Sequence, residues 1–451
     1  MRWLLLAVLV PINSPFGTIE VDWTGAAPRV VTSDTPYGLQ EASCSSLFPA
    51  DAQVWDRLEG AVLGALIADS LALRDHYEYS LDRTLHKGVI RYLEAPGQEN
   101  LTPGWTAGPT CFHPKRGAGE LTDYGENALW ALRSAVSQRV VARGATVPGA
   151  RFDPDVFYSH WSAAMERHDG YVCMAARATV QQGLGASGGY HLGFTDMPGP
   201  ARAAALLPAF RHDADASSAA RAVCLISHDP DACAVARMMV AVPDLGSNRR
   251  IATACARSPC TCLSLAHSQV AHCLLTTSRS IWATVIDPRG ECPEAHAALT
   301  ESALVKQAVA AASAALASAE RLDAPGARGE WEAAVSEAEL RRTDVALGRL
   351  RLQGQPGRTM PKSSGILPAL PEALYLAFRY EADAQMALTA NAMLGGDSAA
   401  RAGLIGSWLG ARHGLVAIPQ RWVRELRAAP EARELMQALR SQADACEDAE
   451  F

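Results

Sequence analysis

Two short stretches gather the residue types that hold cations and move protons. In GELTDYGE, residues 119–126, Thr122 and Asp123 set a hydroxyl beside a carboxylate where a glycine-containing loop enters a helical pattern. In GGDSAAR, residues 395–401, Asp397 and Ser398 repeat that arrangement behind Gly395 and Gly396, with Arg401 one turn further on. Magnesium takes oxygen ligands in an octahedron and keeps several waters, so a few oxygens from two helix starts can hold it. The same acids also suit helix caps: Asp123 with Glu126 has capping-box spacing, and Asp397 or Ser398 stands at an N-cap. For Asp123 the residues alone leave cap and cation ligand both open. Arg401 suits either a neighbouring acid or a phosphate, which its planar fork contacts with two hydrogen bonds.

The elements that position these residues are helices. WDRLEGAVLGALIADSLAL, from Trp55, places Leu58, Val62, Ile67 and Leu71 near helical spacing, with Gly60, Gly64 and Ala68 on a second stripe. After Asp397 a second helix carries Gly403, Gly406 and Gly410. Each costs roughly 1 kcal/mol of helix propensity relative to Ala, a loss that close backbone packing must offset. The expected partner is the Gly60 and Gly64 stripe, which joins the two ends of the chain in one core. Gly395 and Gly396 are expected to end the preceding helix through a left-handed residue. Leu129, Leu132 and Val136 continue the helix after Asp123, and further helices are expected at FYSHWSAAMERH, PDACAVARMMVAV, ESALVKQAVAAASAALASAERL, PEALYLAFRYEADAQMALTANAML and QRWVRELRAAPEARELMQALRSQ. Strand signals are sparse. The chain reads as all-α, a single compact multi-helix domain over 49–445 behind an N-terminal leader or loosely ordered arm over 1–48. Residues 83–118 read as a long loop, 246–298 as a Cys-rich insertion and 353–365 as a turn-rich connection.

Composition excludes several classes. A chain of 451 residues, half of them apolar, buries a large core, and its net charge of −7 carries no basic block. No nucleic-acid footprint and no membrane patch is visible, and no run approaches the roughly 18 apolar residues of a bilayer span. Eleven cysteines, an odd number, in so long a chain read as reduced thiols of a cytoplasmic protein. MRWLLLAVLV leaves a secretory signal as the alternative, although Pro11 interrupts it and no small-x-small site precedes Trp23. Cys255, Cys260, Cys262, His267, His272 and Cys273 offer soft ligands at a spacing that matches no strong zinc pattern. His228, beside Asp229 and Pro230, reads as a structural cap. Arg412 and His413 read as complements to a helix dipole.

GAVLGALIADS (60–70), GELTDYGE (119–126), SHDPDA (227–232), LPALPEALYLAF, NAMLGGDSAARAGLIGSWLGARHG and AIPQRWVREL, taken in this order over about residues 55–430, resemble the ADP-ribosylglycohydrolase family. The resemblance implies an all-helical globule, one or two magnesium ions, and hydrolysis of a bond between ADP-ribose and a protein side chain or small acceptor. Its metal residues would be Thr122, Asp123, Asp397 and Ser398. Its water-positioning acids would be Asp69 and Glu78, and its substrate contacts His76, Gly396 and Arg401. Where the family's motif has a second acid, this chain has Tyr124; where it has a further acid and hydroxyl, this chain has Ala399 and Ala400. A catalytic glutamate commonly follows seven residues after the first-helix aspartate, and that count from Asp69 lands on His76, with Glu78 two positions on. These departures are similar to the branch that includes jellyfish lens crystallins of the J type and related selenoproteins. That likeness implies the alternative of a catalytically degenerate, structural or ADP-ribose-binding protein whose magnesium is weak or lost.

Overall fold

The computed structural model describes residues 10–14, 17–22, 29–32, 50–79, 81–96, 112–144, 152–182, 194–209, 213–240, 302–322 and 364–447. The whole of the Cys-rich insertion, with its candidate zinc ligands, and most of the 353–365 connection lie outside these residues.

The glycine stripes decide the central packing. Helix α1 (Ala50–Ala72) lies along the helix Ser398–His413. A Cβ on Gly60 would stand 2.5 Å from the Gly410 carbonyl oxygen, and Cβ atoms on Gly64, Gly406 and Gly410 would likewise run into the facing backbone. The expected pairing therefore holds at four glycines. It does not extend to Gly403, where a Cβ would have ordinary contacts at 3.8 Å from Ala201 and 4.0 Å from Ala204.

Around this pair the chain adds α2 (Leu81–His86), α3 (Asp123–Gly144), α4 (Pro154–Arg167), α5 (Met174–Gln182), α6 (Pro198–Ala201), α7 (Asp213–Leu225), α8 (Pro230–Val240) and α9 (Ala303–Leu322). The closing helices are α10 (Ile366–Arg379), α11 (Ala384–Met393), α12 (Ser398–His413), α13 (Gln420–Glu425) and α14 (Ala429–Glu447). The body is all-α, as its periodicity predicts. Two blocks expected as continuous helices are each divided. Asp383 caps α11 by accepting from the Met386 N–H at 2.9 Å, and α13 ends before Pro430 opens a new first turn. Helix α2 runs into the residues read as a long loop over 83–118, a helix of under two turns that leaves little periodicity to detect, and helices α5 and α7 escaped the sequence reading because they are short or alanine-rich. Within the 1–48 arm, β1 (Val10–Ser14), β2 (Gly17–Asp22) and β3 (Arg29–Thr32) pair antiparallel in the order β1-β2-β3.

One cysteine expectation changes. Cys224 at the end of α7 and Cys233 in α8 form a disulfide across the turn between them, with Cα atoms 5.5 Å apart. That spacing lies inside the bridging range. Among the described residues no helix is long and apolar enough to cross a membrane.

Candidate functional site

Four backbone events bring the candidate residues together. Helix α1 ends with Asp69 and Ser70 buried, and a short 3₁₀ turn, Leu73–Asp75, carries the chain to His76. Tyr77 then takes φ 67°, a left-handed conformation unusual for a bulky residue. Its N–H donates to the Gly396 carbonyl at 2.7 Å, and the Gly396 N–H donates back to the Glu78 carbonyl. Gly395 and Gly396, at φ 62° and 65°, make the left-handed turn expected of them. A Cβ on Gly395 would collide with the Glu78 carbonyl oxygen.

Thr122, Asp123, Asp397, Ser398, Asp69, His76 and Glu78 are all buried. Thr122 is tied to α1: its N–H donates to Asp69 Oδ2 at 2.8 Å and its hydroxyl to Asp69 Oδ1 at 2.6 Å. Thr122 Oγ1 also accepts the Tyr124 N–H at 3.2 Å, so the threonine caps α3 and the anticipated Asp123–Glu126 capping box does not form. Glu126 pairs instead with Arg116 at 3.6 Å. The Asp123 carboxylate reaches across to the Cys173 N–H at 3.0 Å, and its other oxygen is buried with no hydrogen-bond partner.

Asp397 is the most heavily engaged acid. Its Oδ1 accepts the Ala400 N–H at 3.2 Å, which caps α12 as predicted. The same oxygen lies 3.0 Å from His76 Nε2, and Oδ2 accepts the Tyr124 hydroxyl at 2.9 Å. His76 Nδ1 is 2.7 Å from His113 Nε2. With Asp397 ionised, His76 donates through Nε2 and accepts at Nδ1 from His113, giving a chain of one carboxylate and two imidazoles. Burial, then the neighbouring His76 and Arg116, holds His113 well below the ordinary imidazole range.

Arg401 is placed differently from the expected phosphate contact. It is fully buried, with Nη1 2.9 Å from Glu372, Nε donating to Asn391 Oδ1 at 2.8 Å and Nη2 donating to the Gly395 carbonyl at 2.7 Å. Its charge secures the Gly395 turn from beneath. His228 is more than a cap: its ring bridges Ser227 Oγ and Asp196 Oδ1, both at 2.7 Å, while Asp229 caps α8 through the Asp231 N–H. This Ser-His-Asp order is not a nucleophile, because Ser227 is fully buried and its Oγ accepts from Arg202 at 2.7 Å. His413 and Arg412 both meet Glu381 at the end of α12.

A hard dication needs about six oxygens. Of the four expected ligands, Thr122 Oγ1 both donates to Asp69 and accepts the Tyr124 N–H, and Asp397 accepts from three groups, which leaves Asp123 Oδ1 and Ser398 Oγ. Among the described residues no three His, Cys, Asp or Glu side chains are grouped to hold a metal ion. In this arrangement the four residues do not fit magnesium. Tyr124 and His113 were the residues sequence reasoning undervalued. The signal for Tyr124 was its place beside Asp123 where an acid was expected, and for His113 there was none, since its partner is distant in sequence.

The buried acids make stability depend on pH. Burial pushes Asp123 up to about 7, against the opposing pull of His76, and burial pushes Asp69 up to about 6 against the Thr122 hydrogen bonds. The folded state thus binds these protons more tightly than the unfolded chain, whose aspartates titrate near 3.8. Their stabilisation is complete below the unfolded value and is lost as pH rises through about 6 for Asp69 and about 7 for Asp123. Urea unfolding should show stability falling over that window, with a shallower fall in Asp123→Asn. An identical slope in both proteins would count against the assignment.

An all-helical body closed on glycine by α1 and α12, with buried acids at the starts of two helices, defines the class of protein. The comparison with known families gives the assignment within that class. The chain belongs to the ADP-ribosylglycohydrolase family, whose sequence profile matches residues 50–449. A solved structure titled "ADP-ribosylglycohydrolase-related protein complex" is similar at 18% identity and a TM-score of 0.46, covering 86% of this chain and 99% of that one. No curated protein matches the chain in sequence.

Proposed function

We propose that this chain binds an ADP-ribose-type ligand and does not carry out metal-assisted hydrolysis of its glycosidic bond. The observation that carries this reading is Asp397, whose two oxygens are held by Tyr124, His76 and the Ala400 N–H. Asp69, the acid expected to position water, accepts both the N–H and the hydroxyl of Thr122 and is equally engaged. Family membership supports the ligand class. Beside His113, the half-buried rings of Tyr77, Phe112 and Tyr171 form a wall, with Phe112 4.5 Å from Tyr77 and 5.2 Å from Tyr171 between centroids. A flat heterocycle or a ribose face packs well on such rings.

Thermal unfolding with ADP-ribose tests this. The melting temperature is expected to rise equally with magnesium and with EDTA, the rise should shrink in Tyr171→Ala, and arginine-, serine- and small-acceptor conjugates should release no ADP-ribose. Magnesium-dependent release overturns the non-hydrolytic part. Absence of any shift overturns ligand binding and favours a structural role.

A further inference from the structure

The acids at this centre face a question that their burial makes acute. Asp69, Asp123 and Asp397 are each at most 2% exposed, and carboxylates so placed require a compensating positive or donor group. At Asp69 the donors are those of Thr122 and at Asp123 the Cys173 N–H, while at Asp397 the group present is an imidazole of the chain itself. We propose that His76, with the Tyr124 hydroxyl on the same carboxylate, is a built-in replacement for a divalent cation, so that this centre excludes magnesium instead of requiring it.

Two independent features support it. First, His76 is fixed as a ligand would be fixed: it stacks on Tyr77 at 3.9 Å and on His113 at 4.9 Å, and meets Tyr124 edge-on at 5.8 Å. Second, the backbone is shaped to deliver it. The left-handed Tyr77 is a costly conformation for a bulky side chain, and it is held by the Gly396 carbonyl at 2.7 Å, the residue next to Asp397. Tyr124 completes the arrangement, because a phenol donates where an acid could only accept. This inference stands on the bonds around Asp397 and is independent of whether ADP-ribose binds.

Manganese titration of the full-length chain, followed by the electron paramagnetic resonance signal of the free ion, provides the test. Wild type is expected to leave the signal unchanged at millimolar manganese. His76→Ala should bind one ion per chain, competitively with magnesium, and should regain part of its lost melting temperature when magnesium is added. Adding Asp397→Asn to that variant should abolish the binding, a result that a merely structural histidine would not produce. If His76→Ala does not fold, Tyr124→Asp is titrated in its place and the same gain is expected. The proposal is overturned if wild type binds one manganese ion in an Asp397-dependent way, or if wild type and every folded variant bind equally poorly.

Discussion

Arg401→Met is expected to lower the unfolding free energy by about 3–5 kcal/mol, the cost of removing one partner from a buried ion pair. Arg401 and Glu372 are 0% and 3% exposed at the side chain and 2.9 Å apart. Methionine fills part of the volume but leaves the Glu372 carboxylate without that ion-pair partner, and it also removes the donors to Asn391 Oδ1 and the Gly395 carbonyl. Because Gly395 precedes the residue that bonds Glu78 and Tyr77, the loss should spread to the centre. The double variant Arg401→Met, Glu372→Leu should recover much of the stability, since two apolar side chains of suitable volume can replace a buried pair. Guanidinium unfolding measures both. A loss below about 1 kcal/mol in the single variant, the scale of an exposed pair, would refute the assignment.

Within α12, two alanine substitutions three residues apart are expected to have different effects. Gly406→Ala should destabilise by about 1–3 kcal/mol or more, because the new Cβ meets the Gly64 carbonyl and the Ala65 nitrogen, backbone atoms that move only if two helices separate. Gly403→Ala has room, with its nearest neighbours at 3.8 and 4.0 Å, and should be neutral or gain up to about 1 kcal/mol of helix propensity. Melting temperatures of the two variants decide it. Equal losses at both sites would show that the glycines serve something other than close approach.

These two predictions mark what was legible in the sequence. The pairing of α1 with α12 could be read from the residues because glycine at helical spacing has few explanations other than close packing. The exception, Gly403, looks identical to Gly406 along the chain and differs only in which neighbour its face meets, small Ala201 and Ala204 side chains in place of a backbone. The left-handed Gly395–Gly396 turn and the Asp397 cap were equally legible, since both are local. Asp123 was not. Its helix-start position suggested a cap or a cation ligand, while its actual acceptor role toward Cys173 depends on how α5 is brought up to α3.

The ordered motifs of the sequence pointed to the family by resemblance, and the residues by themselves determined the helical class, the glycine-faced helix pair and the acids at two helix starts. The last three follow from periodicity, backbone sterics and short-range capping, which act over a few residues. Only the tertiary structure decided what those acids do. Asp397 meets a histidine 321 positions and a tyrosine 273 positions away in sequence. Arg401 turns to a glutamate on another helix, and Cys224 finds Cys233 across a turn. A buried carboxylate takes the nearest donors that folding supplies, and nothing in the spacing of residues along a chain states which those will be.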